Sequence, residues 1–219
     1  MPRTPRTTPG RLRKARARTW IERKVLDGSA AQIHRLHGER KAAAIGALSG
    51  TVVEIGPGTG PNMRYYAPGV KLIAIEPNEN MHASLRASAA RHDVDLEIRT
   101  LQGEQLDVGD DEADGVVATL VLCGVDDPAA VLAEIRRVLK PGGTYFFLEH
   151  VAADPGTPTR RIQDVMFRPH RWLFNGCETN RDTAASIDAA GFSRVDHDRV
   201  DGGLGSLYVK EQLVGTAVK

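Results

Sequence analysis

A chain of 219 residues with 41% hydrophobic and 26% charged side chains and a formal net charge of +1 is ordinary for a soluble globular domain with room for a real core. It holds no apolar run near the roughly 20 residues of a membrane-spanning helix, and no apolar stretch follows its basic N-terminus, which argues against a secretory signal. Two cysteines, Cys123 and Cys177, are too few for a disulfide framework and suit a reducing cytoplasm, and with no Cys/His cluster at ligand spacing along the sequence no metal site is expected.

The charge is unevenly spread. Residues 1–24 carry nine Lys/Arg against one acid, Glu22; from totals of 29 basic and 28 acidic residues this leaves 20 and 27, a basic tail on an acidic body. Residues 1–10, "MPRTPRTTPG", read as a disordered tail. Residues 11–49 read as two N-terminal helices, a candidate lid, the second with Ile33, Leu36, Ile45 and Leu48 at helical spacing. Its His34 and His37 either face a substrate or lie on a solvated face.

From residue 50 the rhythm changes to that of one α/β domain reaching residue 219. Strands are predicted at 51–56, 71–78, 94–100, 115–122 and 143–150, with helical stretches at 62–66, 80–92 and 128–139 between them. The last helix has Asp127 as N-cap and Pro128 in its first turn, and it stops at "KPGG". An irregular stretch follows to Thr179, then a helix over 182–190 and strands near 192–199 and 213–218. Near-continuous apolar strands alternating with helices predict a mostly parallel, Rossmann-like sheet covered on both faces.

The first strand runs into "EIGPGTGPN", with Gly56, Gly58 and Gly60 at alternate positions. Glycines there let backbone approach a ligand at the carboxyl end of the sheet. Glu76, 20 residues after Gly56, ends the second strand, where a carboxylate can grip ribose hydroxyls. The third glycine comes too early for a dinucleotide fingerprint, and no Lys-Ser/Thr pair follows for a P-loop. Glu54 would repel a pyrophosphate and attract an ammonium group. A ligand with adenosine at one end and an amino acid at the other fits, and S-adenosylmethionine is such a ligand.

These residues resemble a known family. "VVEIGPGTG" resembles the first motif of class I methyltransferases and "LIAIEPN" their second; residues 114–150 resemble their fourth strand, next helix and fifth strand. More narrowly, "TLVLCGV", "RVLKPGG", "LEHV", "NGCETNRDT" and "GTAVK" resemble the small methyltransferase-like proteins, which include alkyl thiol S-methyltransferases. The resemblance implies a seven-stranded sheet with an antiparallel last strand. It implies that Gly56, Gly58 and Gly60 wrap the methionine part with Glu54 at its amino group, and that Glu76 takes the ribose. It puts Pro77 and Asn78 beside the adenine, Gln102, Gly103 and Glu104 at its edge, and Thr119 and Leu120 near the sulfonium. Many relatives have Asp where Gln102 stands, and Gln can still accept from the adenine amino group. Animal relatives carry an apolar N-terminal anchor where this chain has arginines.

Methyl transfer needs an acceptor lone pair held in line, and a base where the acceptor starts protonated. His150, closing the fifth strand, is the candidate base; a structural corner with Glu149 is the competing role. Cys123 is expected to pack as a small hydrophobe. Residues 167–181 form an acceptor-pocket wall or a cover for the sheet edge, with Arg168, His170 and Arg171 as contacts. The expected activity is methylation of a small, apolar molecule, with a thiol favoured by resemblance. N-, O- or C-methylation and cofactor binding without turnover are the alternatives. With 5% aromatic residues and an acidic body, nucleic acid is not the expected partner. The basic N-terminus leaves weak contact with an anionic membrane surface open.

Overall fold

A computed structural model of the chain describes residues 28, 30–173, 176–203 and 208–219. The basic tail and the first predicted helix lie outside the described residues. The first described helix, α1, covers residues 30–46. It is followed by β1 (Thr51–Ile55), a 3-10 turn (Met63–Tyr65), β2 (Lys71–Ile75), α2 (Glu79–Arg91), β3 (Asp95–Arg99) and β4 (Ala113–Thr119). Then come α3 (Pro128–Val138), β5 (Leu139–His150), α4 (Pro158–Leu173), α5 (Thr183–Asp188), β6 (Arg194–Asp201) and β7 (Glu211–Val218).

The seven strands form one sheet in the order β3-β2-β1-β4-β5-β7-β6. Pairings among β1 to β5 are parallel, and β7 runs antiparallel to both β5 and β6. This is the Rossmann-like arrangement expected, with the reversed strand last in the chain.

Strand side chains alternate between two cores. On one face Val53, Ile55, Val116, Ala118, Tyr145 and Phe147 pack with Val131, Leu132, Ile135 and Val138 of α3 and Ile187 of α5. On the other, Val52, Val117, Phe146 and Leu148 pack with Ile45 of α1 and Leu85 and Ala89 of α2. Both faces are therefore covered, and the central strands β1 and β4 carry apolar side chains through most of their length, whereas the edge strands β3 and β6 are largely polar.

Local signals explain most helix starts. Asp127 accepts from Ala130 N at 3.0 Å with Pro128 at the first helical position, and Asp182 accepts from Ala185 N at 3.1 Å.

The structure departs from expectation in two places. The stretch after His150, expected to be irregular, holds the 16-residue α4. Thr157 Oγ1 accepts from Arg160 N at 3.2 Å and Pro158 opens the helix, so its start carries a normal cap. Pro169 inside its last turn disguised it, since proline removes one helical donor. The fifth strand also begins earlier, at Leu139, because Ala113 pairs with Leu139 ahead of a register shift, and "KPGG" is taken into the strand.

Candidate functional site

The carboxyl ends of β1 and β2 bring the glycine turn and Glu76 together. Gly56, Gly58 and Gly60 have φ of 62°, 57° and 80°, the left-handed region that glycine adopts without steric cost. A Cβ on Gly60 would stand 3.0 Å from both Leu85 Cδ1 and Ser88 Cβ, so this glycine also lets the turn seat on α2. The Glu76 carboxylate accepts from Gly58 N at 2.9 Å and from Asn78 N at 2.8 Å. Pro77 is exposed and Asn78 half-buried, the latter capping α2.

Glu54 points to the α1 face of the sheet and is buried. It accepts from Asn62 Nδ2 at 2.7 Å and from the Tyr66 hydroxyl at 2.8 Å. Asn62 Nδ2 also lies 3.2 Å from Thr119 Oγ1, which ties β1 to the end of β4. Burial pushes the Glu54 carboxyl up, against the pull of Asn62, Tyr66 and Lys41. Asn62 Oδ1 is buried with no hydrogen-bond partner among the described residues.

Sequence reasoning missed Lys41, Asn62 and Tyr66. Lys41 is 2% exposed on α1. Burial lowers its pKa to about 8, against the attraction of Glu54. The signal was present: positions 37, 41, 45 and 48 lie on one helical stripe, and a lysine among them must face inward. His37, also on that stripe, is buried and meets Gln212 Oε1 at 2.7 Å, while His34 Nδ1 meets the Tyr65 hydroxyl at 2.6 Å. His37 is thus turned into the fold, whereas His34 lies on the exposed face with its ring against Tyr65.

After β3, Gly103 is buried, and a Cβ there would stand 3.1 Å from Ile55 Cγ2 at the end of β1. Glu104 is half-buried, and Gln102 is exposed, its carbonyl accepting from Gln105 N at 3.1 Å. At the end of β4, Thr119 faces Asn62 and Leu120 has φ of 58°. A branched side chain in that region costs on the order of 1–3 kcal/mol and persists where its surroundings hold it. Here Leu120 N donates to Leu148 O at 2.7 Å.

The next turn is held by Glu149. Its carboxylate, fully buried, accepts from Val121 N at 3.0 Å and from Cys123 N at 3.3 Å. Burial raises the Glu149 carboxyl, and these backbone donors work against that rise. Beside it stands a cluster that spacing along the sequence had hidden. Cys123 Sγ lies 3.4 Å from Cys177 Sγ, and His150 Nδ1 lies 3.8 Å and 3.6 Å from the two sulfurs. No ligand spacing along the sequence shows this cluster, because the three residues are up to 54 positions apart and the chain crossing from β5 to α5 brings them together.

The Cys123 thiol is pushed well up, first by its bond with Cys177 and then by burial. For His150 burial opposes the charged ring, but the bond to Cys123 and the charges of Cys123 and Glu149 outweigh it, so its pKa lies above the ordinary value. On α4, His170 Nδ1 meets the Tyr208 hydroxyl at 3.2 Å, and Arg171 pairs with Glu178. Trp172 is 78% exposed.

The sheet order, the glycine turn and the acid after β2 define an α/β domain built to hold a nucleoside-bearing cofactor at its carboxyl edge. The sequence profile of the methyltransferase domain matches residues 53–147. Human thiol S-methyltransferase TMT1A is 36% identical over 181 residues, 81% of this chain and 73% of that protein. Rat thiol S-methyltransferase TMT1B is 38% identical over 172 residues, 77% and 70% of the two chains. The chain belongs to this family of S-adenosylmethionine-dependent methyltransferases. In fold it also matches 1,6-didemethyltoxoflavin-N1-methyltransferase of Burkholderia thailandensis, solved with S-adenosylhomocysteine, at a TM-score of 0.64 and 21% identity over 100% of this chain and 93% of that one.

S-adenosylmethionine is the methyl donor. The residues present fit it: an orphaned buried amide oxygen beside a buried acid suits an ammonium group, and a turn of three left-handed glycines suits close backbone approach.

Two predictions follow from this geometry. Glu149→Ala leaves Val121 N and Cys123 N without their acceptor and is expected to cost about 2–5 kcal/mol of unfolding free energy, measured by denaturant titration. Lys41 is expected to govern an alkaline rise in stability, measured without cofactor. Above pH 8 the folded chain sheds its proton, whereas the unfolded lysine keeps it to about 10.5, so the unfolded state binds more protons there and stability rises with pH. Glu54, Arg64, His37 and Tyr65, whose ring centroid lies 5.4 Å from Lys41 Nζ, are charged or titratable groups around it. Relative to Lys41→Met, the wild-type chain should gain on the order of 1–3 kcal/mol between pH 7.5 and 10; parallel curves would remove Lys41 as the cause.

Proposed function

We propose that this methyltransferase transfers its methyl group to the sulfur of a small, apolar thiol. The observation that carries this reading is the likeness, over about three quarters of the chain, to two thiol S-methyltransferases.

The backbone of Gly56, Gly58 and Gly60 takes the methionine part of the cofactor, and Glu54 with Asn62 takes its ammonium group. Each Glu76 oxygen already accepts one backbone N–H and has capacity left for a ribose hydroxyl. Pro77 and Asn78 lie beside the adenine, Gln102, Gly103 and Glu104 along its edge, and Thr119 and Leu120 toward the methyl-bearing end. S-adenosylmethionine supplies an electrophilic methyl group on a sulfonium sulfur.

The chain's remaining task is to hold the acceptor sulfur in line and to present it as a thiolate. Free thiols have a pKa near 8.5, so modest assistance suffices. His150, closing β5 beside two sulfurs, is the group we assign to activating the acceptor. Trp172 and Leu173, both exposed at the end of α4, offer apolar surface to a small hydrophobic molecule.

Gly58→Val and Glu76→Ala are each expected to weaken S-adenosylmethionine binding at least about tenfold by calorimetry with the fold retained, a loss of roughly 1.4 kcal/mol or more. Unchanged affinity in both would displace the cofactor from this turn. The activity test offers small thiols, amines, phenols and quinols with S-adenosylmethionine, and product is followed by mass spectrometry. Turnover on thiols is expected, and turnover confined to another acceptor would overturn the substrate class. In the same assay His150→Ala should lower turnover by about 10²-fold or more while cofactor affinity stays within about threefold. A near-normal rate would make His150 structural.

A further inference from the structure

We propose that Cys123, His150 and Cys177 bind one thiophilic divalent cation, whose remaining coordination position takes the acceptor thiol; that second half rests on the thiol reading above.

The geometry comes first. Around a tetrahedral zinc ion, with Zn–S near 2.3 Å and Zn–N near 2.0–2.1 Å, ligand atoms stand about 3.8 Å apart for S···S and about 3.6 Å for S···N. The three separations here are 3.4, 3.8 and 3.6 Å. Three soft donors, two sulfurs and one imidazole nitrogen, already sit near the corners of one tetrahedral face.

The supporting structure presents them this way by holding backbone and leaving the donor atoms facing one another. Glu149 fastens the Cys123 turn, and Glu178 N donates to Cys123 O at 2.6 Å, which clips the Cys177 loop to it. Arg181 donates to the carbonyls of Leu122 and Val125, both at 2.8 Å. Thr183 Oγ1 donates to His150 O at 3.1 Å. Gly176, with φ of 94°, brings the two loops so close that a Cβ there would stand 3.1 Å from Gly124 O. Metal sites work when their ligands are oriented by neighbours in this manner.

The ligand count points to the use. Structural zinc sites close with four protein ligands, whereas catalytic ones offer three and keep a position for water or substrate. Among the described residues the cluster offers three. Its members follow β4, close β5 and precede α5, so it stands at the carboxyl edge of the sheet. A thiol R–SH arriving there gives its proton to solvent, donates a sulfur electron pair to the cation and displaces a water molecule; no electron transfer is involved. A cation-bound thiol is a thiolate at neutral pH, which is the form methylation needs. His150 then activates the acceptor as a ligand through Nδ1 rather than by taking the proton itself.

The test uses the full chain, reduced and stripped with a chelator, and titrated anaerobically with Co²⁺. One equivalent is expected to bind with near-ultraviolet thiolate charge-transfer bands and the visible bands of a tetrahedral site, and Zn²⁺ should displace it. Cys177→Ser and His150→Ala should each weaken binding at least tenfold, with folding checked by circular dichroism. Cys177→His, which exchanges one ligand for another, should keep a bound ion with altered bands. A short alkyl thiol should shift the bands of the wild-type protein.

Absent bands, or bands indifferent to Cys177→Ser, would overturn the site, as would a Cys123–Cys177 disulfide as the cluster's sole chemistry after mild oxidation. Bands that ignore the thiol would overturn the substrate half. Full turnover on thiols by metal-free protein would likewise overturn the substrate half and leave the proposed function intact. A thiol-responsive site in a chain that methylates no thiol would do the reverse.

Discussion

The buried carboxylate of Glu149 is the interaction on which the working edge of this molecule depends. A fully buried acid is costly unless its oxygens are occupied, and here the occupants are backbone N–H groups of the turn that follows β4. Satisfying that one acid fixes the path of residues 121–123. On one side this sets Val121 against Gly56, where a Cβ would come within 2.9 Å of the Val121 side chain. On the other it sets Cys123 beside His150 and Cys177. The turn that packs on Gly56 and the turn that carries Cys123 are thus fastened by a single carboxylate.

Strand order explains why these features meet. The order reverses between β1 and β4, leaving a crevice outside their carboxyl ends where neither crossover covers the sheet. Residues from β1, β2 and the loop after β3 gather on one side of this point, and residues after β4 and β5 on the other. A donor and an acceptor laid along that edge would meet near Thr119 and Leu120, where the chain bends out of regular geometry.

A second polar system lies under the glycine turn. Glu54, Asn62, Tyr66 and the half-buried Thr119 are joined by hydrogen bonds on the α1 face with the charge of Lys41 acting on Glu54, and one amide oxygen has no partner among the described residues. Hydrophobic residues of similar shape would stabilise the fold more readily than such a network. On the proposed cofactor placement, its retention is the cost of holding an ammonium group away from water. The N-terminal helix reaches this network through Lys41 and the core through Ile45.

Much of this was legible from residues alone. Alternating apolar strands and capped helices specify the sheet because hydrophobic period and turn chemistry are local properties, and the spacing of Gly56, Gly58, Gly60 and Glu76 within one βαβ unit puts the turn and the acid together, as hydrogen-bonded neighbours in the structure. Thr157-Pro158 marked α4 as plainly as Asp127-Pro128 marked α3, but Pro169 obscured its end. Lys41 stood on its apolar stripe for anyone counting in fours. What the sequence by itself determined, then, is the order of the strands along the chain, the two-faced sheet and the glycine-and-acid pair that suits an adenosine-bearing amino acid. Only the tertiary structure decided that Cys123, His150 and Cys177 share one place. That cluster arises where distant segments cross, and no local period or spacing records which side chains a crossing brings within bonding distance.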